Sequence, residues 1–301
     1  MNSKYKTPES FKTALEARIR KESAAKNVDV PTLRQKCIFD RFLARIQKQF
    51  GDAAVLKGGV ALALLVERAR LTRDVDLMLR GRPNDFLDML QTACALDLDD
   101  FLQFETAPDP RNPTIEGEGI VYEGLRFRIE ARLAGKIYGS RFGLDVGFGD
   151  RMLVPPEIRR GNDFFGFADL PPTVMRAYAR EVHLAEKLHA YTLPRPNENS
   201  RVKDLPDIVL LAMSGHLDAK TLLNTIEATF TFRSSHPMPD TLPAPPASWI
   251  RRYADLAAEN ALPWPTLDAV FERASSFLNP VLSGITGTWN PDRWSWHGDS
   301  P

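Results

Sequence analysis

The sequence is short of several things. Of its 301 residues only two are cysteine and five histidine, and 39 Lys and Arg face 39 Asp and Glu, a formal net charge of zero. Cys37 and Cys94 stand in apolar, helix-like stretches without Cys-x-x-Cys or Cys/His spacing, which favours buried thiols in a reducing compartment over a disulfide or a zinc module. Uninterrupted apolar runs are short as well. The longest, Val60 to Val66, is about a third of a membrane-crossing helix, and no apolar stretch follows the N-terminal lysines as a secretory signal would require. A cytoplasmic chain with no membrane partner is expected. Zero net charge also argues, at first sight, against a nucleic-acid partner, because phosphate binding is driven by Lys and Arg.

What is present changes that impression. Hydrophobic residues make up 43% of the chain, enough to bury a core in one large domain or two moderate ones. The charge is uneven: residues 1–50 hold 12 basic and 5 acidic side chains, and the remainder is slightly acidic. This basic arm is either a set of solvated helix faces, since Lys and Arg are good helix formers, or an electrostatic footprint for RNA or another polyanion.

Periodicity sketches the architecture. Thr7-Pro8-Glu9 opens a first helix with Phe11, Leu15 and Ile19 inward, and a second follows Pro31 and ends at Gly51. Ala53 to Leu56 reads as a strand, Gly58-Gly59 as a turn and Val60 to Arg70 as a helix. Val75 to Leu79 reads as a second strand and Pro83 to about Asp100 as a helix. Alternation over Arg126 to Leu133, continued by Phe142 to Phe148, predicts more sheet. Residues 151–172 look like loop, and helices are predicted at Arg180 to Tyr191, Leu205 to Ser214, Asp218 to Thr231, Pro246 to Asn260 and Thr266 to Leu282. The tail beyond Gly284 is too broken for an element, although its tryptophans could pack back on the body.

The chemistry concentrates between residues 56 and 76. Glycines at a strand-to-helix turn let the backbone approach a phosphate, and the next helix offers free N–H groups and a positive dipole end. On a strand, Asp74 and Asp76 point to one face about 7 Å apart, suited to hard cations such as Mg²⁺. A second Asp-x-Asp pair, Asp97/Asp99, lies in a helix-like context without a glycine turn and serves as an internal control. Between turn and acids lies a basic loop, Arg68, Arg70 and Arg73.

Four ordered motifs carry a resemblance: Lys57-Gly58-Gly59-Val60-Ala61-Leu62; Arg70-Leu71-Thr72-Arg73-Asp74-Val75-Asp76-Leu77; Ala185-Glu186-Lys187-Leu188-His189-Ala190; and Lys203-Asp204-Leu205-Pro206-Asp207-Ile208. Together they resemble the signatures of AbiEii-type nucleotidyltransferases, toxins of bacterial toxin–antitoxin and abortive-infection systems. The resemblance implies an α+β fold: a polymerase β-like core, a mixed sheet flanked by helices, followed by a C-terminal helical domain. On this basis the chain divides into basic N-terminal helices packing on the core (1–50), the nucleotidyltransferase core (51–170) and a mainly helical domain carrying Lys187 and Asp204 (171–301). It also implies a two-metal site for Mg²⁺, or Mn²⁺ in its place, on Asp74 and Asp76. The third carboxylate is expected from Asp145, with Asp150 as second choice. Lys57, Gly58, Gly59, Arg73 and Lys187 would bind the nucleotide, and Asp74, Asp76, Lys187 and Asp204 would be catalytic. Asp204 with Asp207 also fits a helix N-cap with an acid at the third position, and that alternative stays open. One departure stands out: polymerase β-like transferases commonly carry Gly-Ser at the turn, and Gly59-Val60 offers no hydroxyl.

The implied function is NMP transfer from an NTP to an acceptor hydroxyl, with the tRNA 3′ end as acceptor and growth arrest relieved by a cognate antitoxin. The basic first fifty residues, Arg126, Arg128, Arg132 and the pair Arg159-Arg160 are the expected RNA contacts. Alternatives are a protein or small-molecule acceptor, or a module that binds nucleotide or a partner without turnover. A monomer is expected.

Overall fold

The computed structural model describes residues 4–65, 72, 74–115, 123–149, 154–195 and 201–298. The chain opens with α1 (Pro8–Lys26), capped by Thr7, whose hydroxyl accepts from the Ser10 N–H while Pro8 fills a first-turn position that needs no N–H. Asp29 caps α2 (Val30–Phe50) in the same way, by accepting from Thr32 N–H, so this helix begins slightly before Pro31. Next come β1 (Ala54–Lys57), α3 (Gly58–Leu65), β2 (Asp74–Leu79), α4 (Phe86–Ala95), β3 (Leu102–Pro108), β4 (Glu123–Leu133), β5 (Lys136–Ile137), β6 (Phe142–Phe148), β7 (Glu157–Arg160) and β8 (Val174–Ala177). These strands form one mixed sheet in the order β3-β4-β6-β2-β1-β8-β7, with β5 paired to β4. The β2/β6 and β1/β8 pairs are parallel and the others antiparallel.

The second half is helical: α5 (Arg180–Thr192), α6 (Asp204–Met213), β9 (Leu217–Asp218), α7 (Ala219–Arg233), α8 (Trp249–Glu259), α9 (Leu267–Leu282), then β10 (Thr288–Asn290) and β11 (Ser295–His297). Two cores result. The first joins α1, α2 and α4 to the sheet; the second fills the C-terminal helices. Helix α3 belongs to both, with Val60, Ala61 and Leu64 in the first and Leu62 and Leu65 in the second. The glycine turn that starts α3 is therefore held where the two bodies meet. No helix among the described residues is long and apolar enough to cross a membrane.

Several expectations are corrected. The helix expected from Pro83 to Asp100 spans only Phe86–Ala95, and β3 follows it. The loop-like stretch 151–172 contains β7, an edge strand paired to β8. The tail does form elements: β10 and β11 make a hairpin that pairs with β9, and Trp289 is fully buried, donating its indole N–H to the Ala212 carbonyl at 2.8 Å. The basic arm is in part structural. Arg41 and Arg45, buried on α2, both bind the buried Asp100, Arg45 through Nη1 at 2.8 Å and Nη2 at 2.7 Å. Arg34 forks onto Glu16 at 2.8 Å. Cys37 and Cys94 are free, buried thiols, and burial pushes both up, Cys94 to about 12.

Candidate active site

Strand register places four charges in one row. Lys57 on β1 pairs with Asp76 on β2, Asp76 with Asp145 on β6, and Asp145 with Arg126 on β4. Directly paired residues share a face, so the row reads cation, acid, acid, cation across adjacent strands. Asp74, two residues before Asp76, adds a third carboxylate to that face. Asp76 is half-buried, and the desolvation of its carboxyl, with repulsion from Asp145 and Asp74, pushes it up to about 6 against the opposing pull of Lys57 and Lys203.

Two glycines make room for the two Asp side chains of β2. Gly58 has φ +67°, and a Cβ there would lie 1.9 Å from Asp76 Oδ2. At Gly143, opposite Asp74 in the β2/β6 register, a Cβ would lie 2.6 Å from Asp74 Oδ1, which instead accepts the Gly143 N–H at 3.2 Å. The first glycine was visible as part of the turn. Gly143 was not, because its importance depends on which strand lies beside β2. Gly59 is also confined: a Cβ there would lie 2.6 Å from Thr72 Oγ1.

On the helical side, Lys187 of α5 donates to Asp207 Oδ2 at 2.6 Å and has Asp204 Oδ1 at 3.5 Å. Both acids are fully buried on α6. Arg201 grips Asp204 with two hydrogen bonds, of 2.5 and 3.1 Å. Asp204 does not cap its helix: the cap position is Lys203, in helical conformation, with no side-chain cap bond. Its carboxylate is spent on cations. His183, one turn before Lys187 on α5, was not singled out from sequence, although the spacing of four puts it on the same helix face. It is 2% exposed, and its Nε2 has no hydrogen-bond partner among the described residues. Burial above all, with Lys187, Lys57 and Arg159 adding to it against Asp207, pushes it down to about 3. It is a neutral imidazole in the field of both Lys57 and Lys187.

Other expected residues fare differently. Arg73, Arg68, Arg70 and Asp150 lie outside the described residues. Asp145 stands beside Asp76, but Arg126 takes both its oxygens at 2.7 Å. The arginine face expected to meet RNA is neutralised internally: Arg128 pairs with Asp109, Arg132 with Glu105 and Glu130, and Arg159 with Glu157. Among the described residues no group of three or more His, Cys, Asp or Glu is disposed to hold a metal ion. The donor set still suits a hard cation in part. Asp74 and Asp76 are oxygen donors on one face, with glycines clearing the space around them, and Asp145 is one register step away behind Arg126.

A mixed sheet with acids at the start of β2, beside a glycine turn that opens a helix, is the arrangement the four motifs lead one to expect of a nucleotidyltransferase, and the comparison with known families gives that class. The family description "Nucleotidyl transferase AbiEii toxin, Type IV TA system" matches residues 41–273, and the chain belongs to that family of nucleotidyltransferase toxins, whose systems pair the toxin with an antitoxin. The fold is shared with MenT4, a nucleotidyltransferase toxin from Mycobacterium tuberculosis H37Rv, at a TM-score of 0.53 and 17% identity over 93% of this chain and 92% of that one. JHP933 from Helicobacter pylori aligns with a TM-score of 0.37 and 14% identity over 77% of this chain and 89% of its own. No curated protein sequence matches the chain.

Proposed function

We propose that this toxin transfers an NMP from an NTP to the 3′ end of tRNA, with Mg²⁺ or Mn²⁺ held by Asp74 and Asp76. The single observation that carries the site is the paired clearance: Gly58 and Gly143 leave space for Asp76 and Asp74 respectively, at the turn where α3 begins. When bound, divalent ions lower the pKa of the attacking hydroxyl and neutralise charge on the transferred phosphoryl group and the leaving pyrophosphate. The chain supplies the rest. Backbone N–H groups of Gly58 and Gly59, which have no intrahelical acceptor in the first turn of α3, face the triphosphate and replace the hydroxyl that Val60 lacks. Lys57 and Lys187 balance phosphate charge from the two sides, Lys187 being oriented by Asp207 and Asp204. Asp204 contributes as the buried anchor of Lys187 and Arg201. Arg73 joins the nucleotide contacts in this reading.

Transfer onto the tRNA 3′ end blocks aminoacylation and halts translation in the cytoplasm until the antitoxin intervenes. The cations left for RNA are those on the surface of the first fifty residues, such as Arg20, Lys21 and Lys48, together with the exposed Arg160, rather than the paired arginines of β4. Purified protein with Mg²⁺, each α-labelled NTP and total tRNA tests the acceptor. Label on RNA from at least one NTP is expected; label on protein alone, or none, overturns the tRNA assignment.

A further inference from the structure

The charged row Lys57, Asp76, Asp145, Arg126 is asymmetric in its contacts. Arg126 Nε donates to Asp145 Oδ1 and Nη2 to Oδ2, each at 2.7 Å, a full two-point grip. The guanidinium is held above its ordinary range, first by this hydrogen bonding and then by the charges of Asp145, Asp74 and Asp109. One cation thus stands in the field of two carboxylates that flank Asp76 along the strand and across the register. A divalent ion shared by Asp74, Asp76 and Asp145 would have to occupy that same field. The Arg126 side chain is 36% exposed, so it has an open side toward which to move, and Asp109, although bonded to Arg128, adds a further negative charge to its field.

We propose that Arg126 is a built-in counter-cation of this site: it holds Asp145 until a divalent ion takes that carboxylate, and the freed guanidinium then serves the anionic nucleotide. The inference rests on the metal-site reading above and adds a competition to it. Without its arginine, Asp145 would be a ready third ligand; with it, each binding event must break a charged, two-point hydrogen bond. Nucleotide, which supplies the displaced guanidinium with a new partner, should therefore help the metal to bind.

The test is a Mn²⁺ titration of the folded full chain, followed by the electron paramagnetic resonance signal of free Mn²⁺, so that no turnover is needed. Arg126→Gln should bind Mn²⁺ roughly 10-fold more tightly than wild type, the worth of one hydrogen bond to a charged group. In Arg126→Gln/Asp145→Asn the gain should vanish, since the released carboxylate is gone. Equal or weaker binding by Arg126→Gln would overturn the competition and leave Arg126 as a residue that merely orients Asp145. Should Arg126→Gln lose its near-ultraviolet circular dichroism, Arg126→Lys replaces it, keeping the charge without the fork; an intermediate gain supports the exchange, and unchanged affinity overturns it. Asp76→Asn separates this inference from the reading beneath it: Mn²⁺ binding that survives Asp76→Asn refutes the metal site itself, whatever Arg126 does.

Discussion

Gly58 lies under a sharp structural demand, and Gly58→Ala measures it. The residue has φ +67°, where an alanine pays about 1–2 kcal/mol of steric strain. The larger effect is spatial. An added Cβ would lie 1.9 Å from Asp76 Oδ2, 2.5 Å from its Cγ and 2.8 Å from its Cβ, whereas ordinary contact begins at 3.4 Å. Rotating the Asp76 side chain relieves the first two contacts but not the third, so β1 and β2 must also separate. Restoring contact moves the carboxylate oxygen by about 1.5 Å, and misplacement of a reacting group by about 1 Å costs roughly 10²-fold in rate. Single-turnover transfer of label from α-labelled NTP to the acceptor that wild type labels should therefore fall about 100-fold or more. Chemical denaturation should show a loss of about 2–3 kcal/mol from strain and overpacking together. Gly59→Ala, whose three nearest contacts would all be with the side chain of Thr72, should cost less and be relieved by Thr72→Gly. A Gly58→Ala protein that labels its acceptor at the wild-type rate would refute the claim that the Asp76 carboxylate at this turn is the working group.

Other expectations follow from the same geometry. Asp100→Ala strands two buried guanidiniums, Arg41 and Arg45, and should lower the unfolding free energy by about 3–5 kcal/mol in urea titrations. Lys187→Met should abolish transfer and destabilise the fold, because Asp207 loses its 2.6 Å bond to the lysine while Asp204 keeps only the Arg201 grip; adding Asp207→Asn should recover stability but not transfer, a coupling read by a double-mutant cycle. His183 is held far below its unfolded pKa, so the fold favours its neutral form. The stability it confers is complete above about pH 6.5 and declines as pH falls toward 3. Wild type should thus lose about 2 kcal/mol more than His183→Gln between pH 6.5 and pH 5; parallel pH profiles for the two proteins would contradict the assignment.

Much of this was readable in advance, and what was not has physical causes. The cap at Thr7 and the strand, glycine turn and helix of residues 54–65 are local features, and local chemistry specified them, whereas the Asp29 cap went unread behind the more conspicuous Pro31. Edge strand β7 alternates half-buried and exposed residues with no apolar face, so its only signature is pairing with β8. Strands β10 and β11 have three residues each, too few for a period of two to register, and they exist because Trp289 is buried among Phe277, Trp294 and Trp296. At Asp204 the spacing of an N-cap was present, but the turn formed by Arg201–Lys203 keeps the preceding backbone helical, and the carboxylate turns to Arg201 and Lys187 instead. Arg126 and Asp145 were both noticed, one as an RNA contact and one as a metal ligand. That they belong to each other depends on strand register, which no periodicity carries.

The most direct measurement compares wild type with Asp76→Asn in Mg²⁺-supported transfer of label from α-labelled NTP. The substitution keeps side-chain size and removes the charge that burial already disfavours, so the fold should be as stable as wild type or slightly more so by chemical denaturation. Transfer should fall by at least about 10³-fold, as expected for the loss of a group that acts in the transition state. A folded Asp76→Asn protein that still transfers nucleotide at a rate near wild type would place the chemistry elsewhere in the molecule.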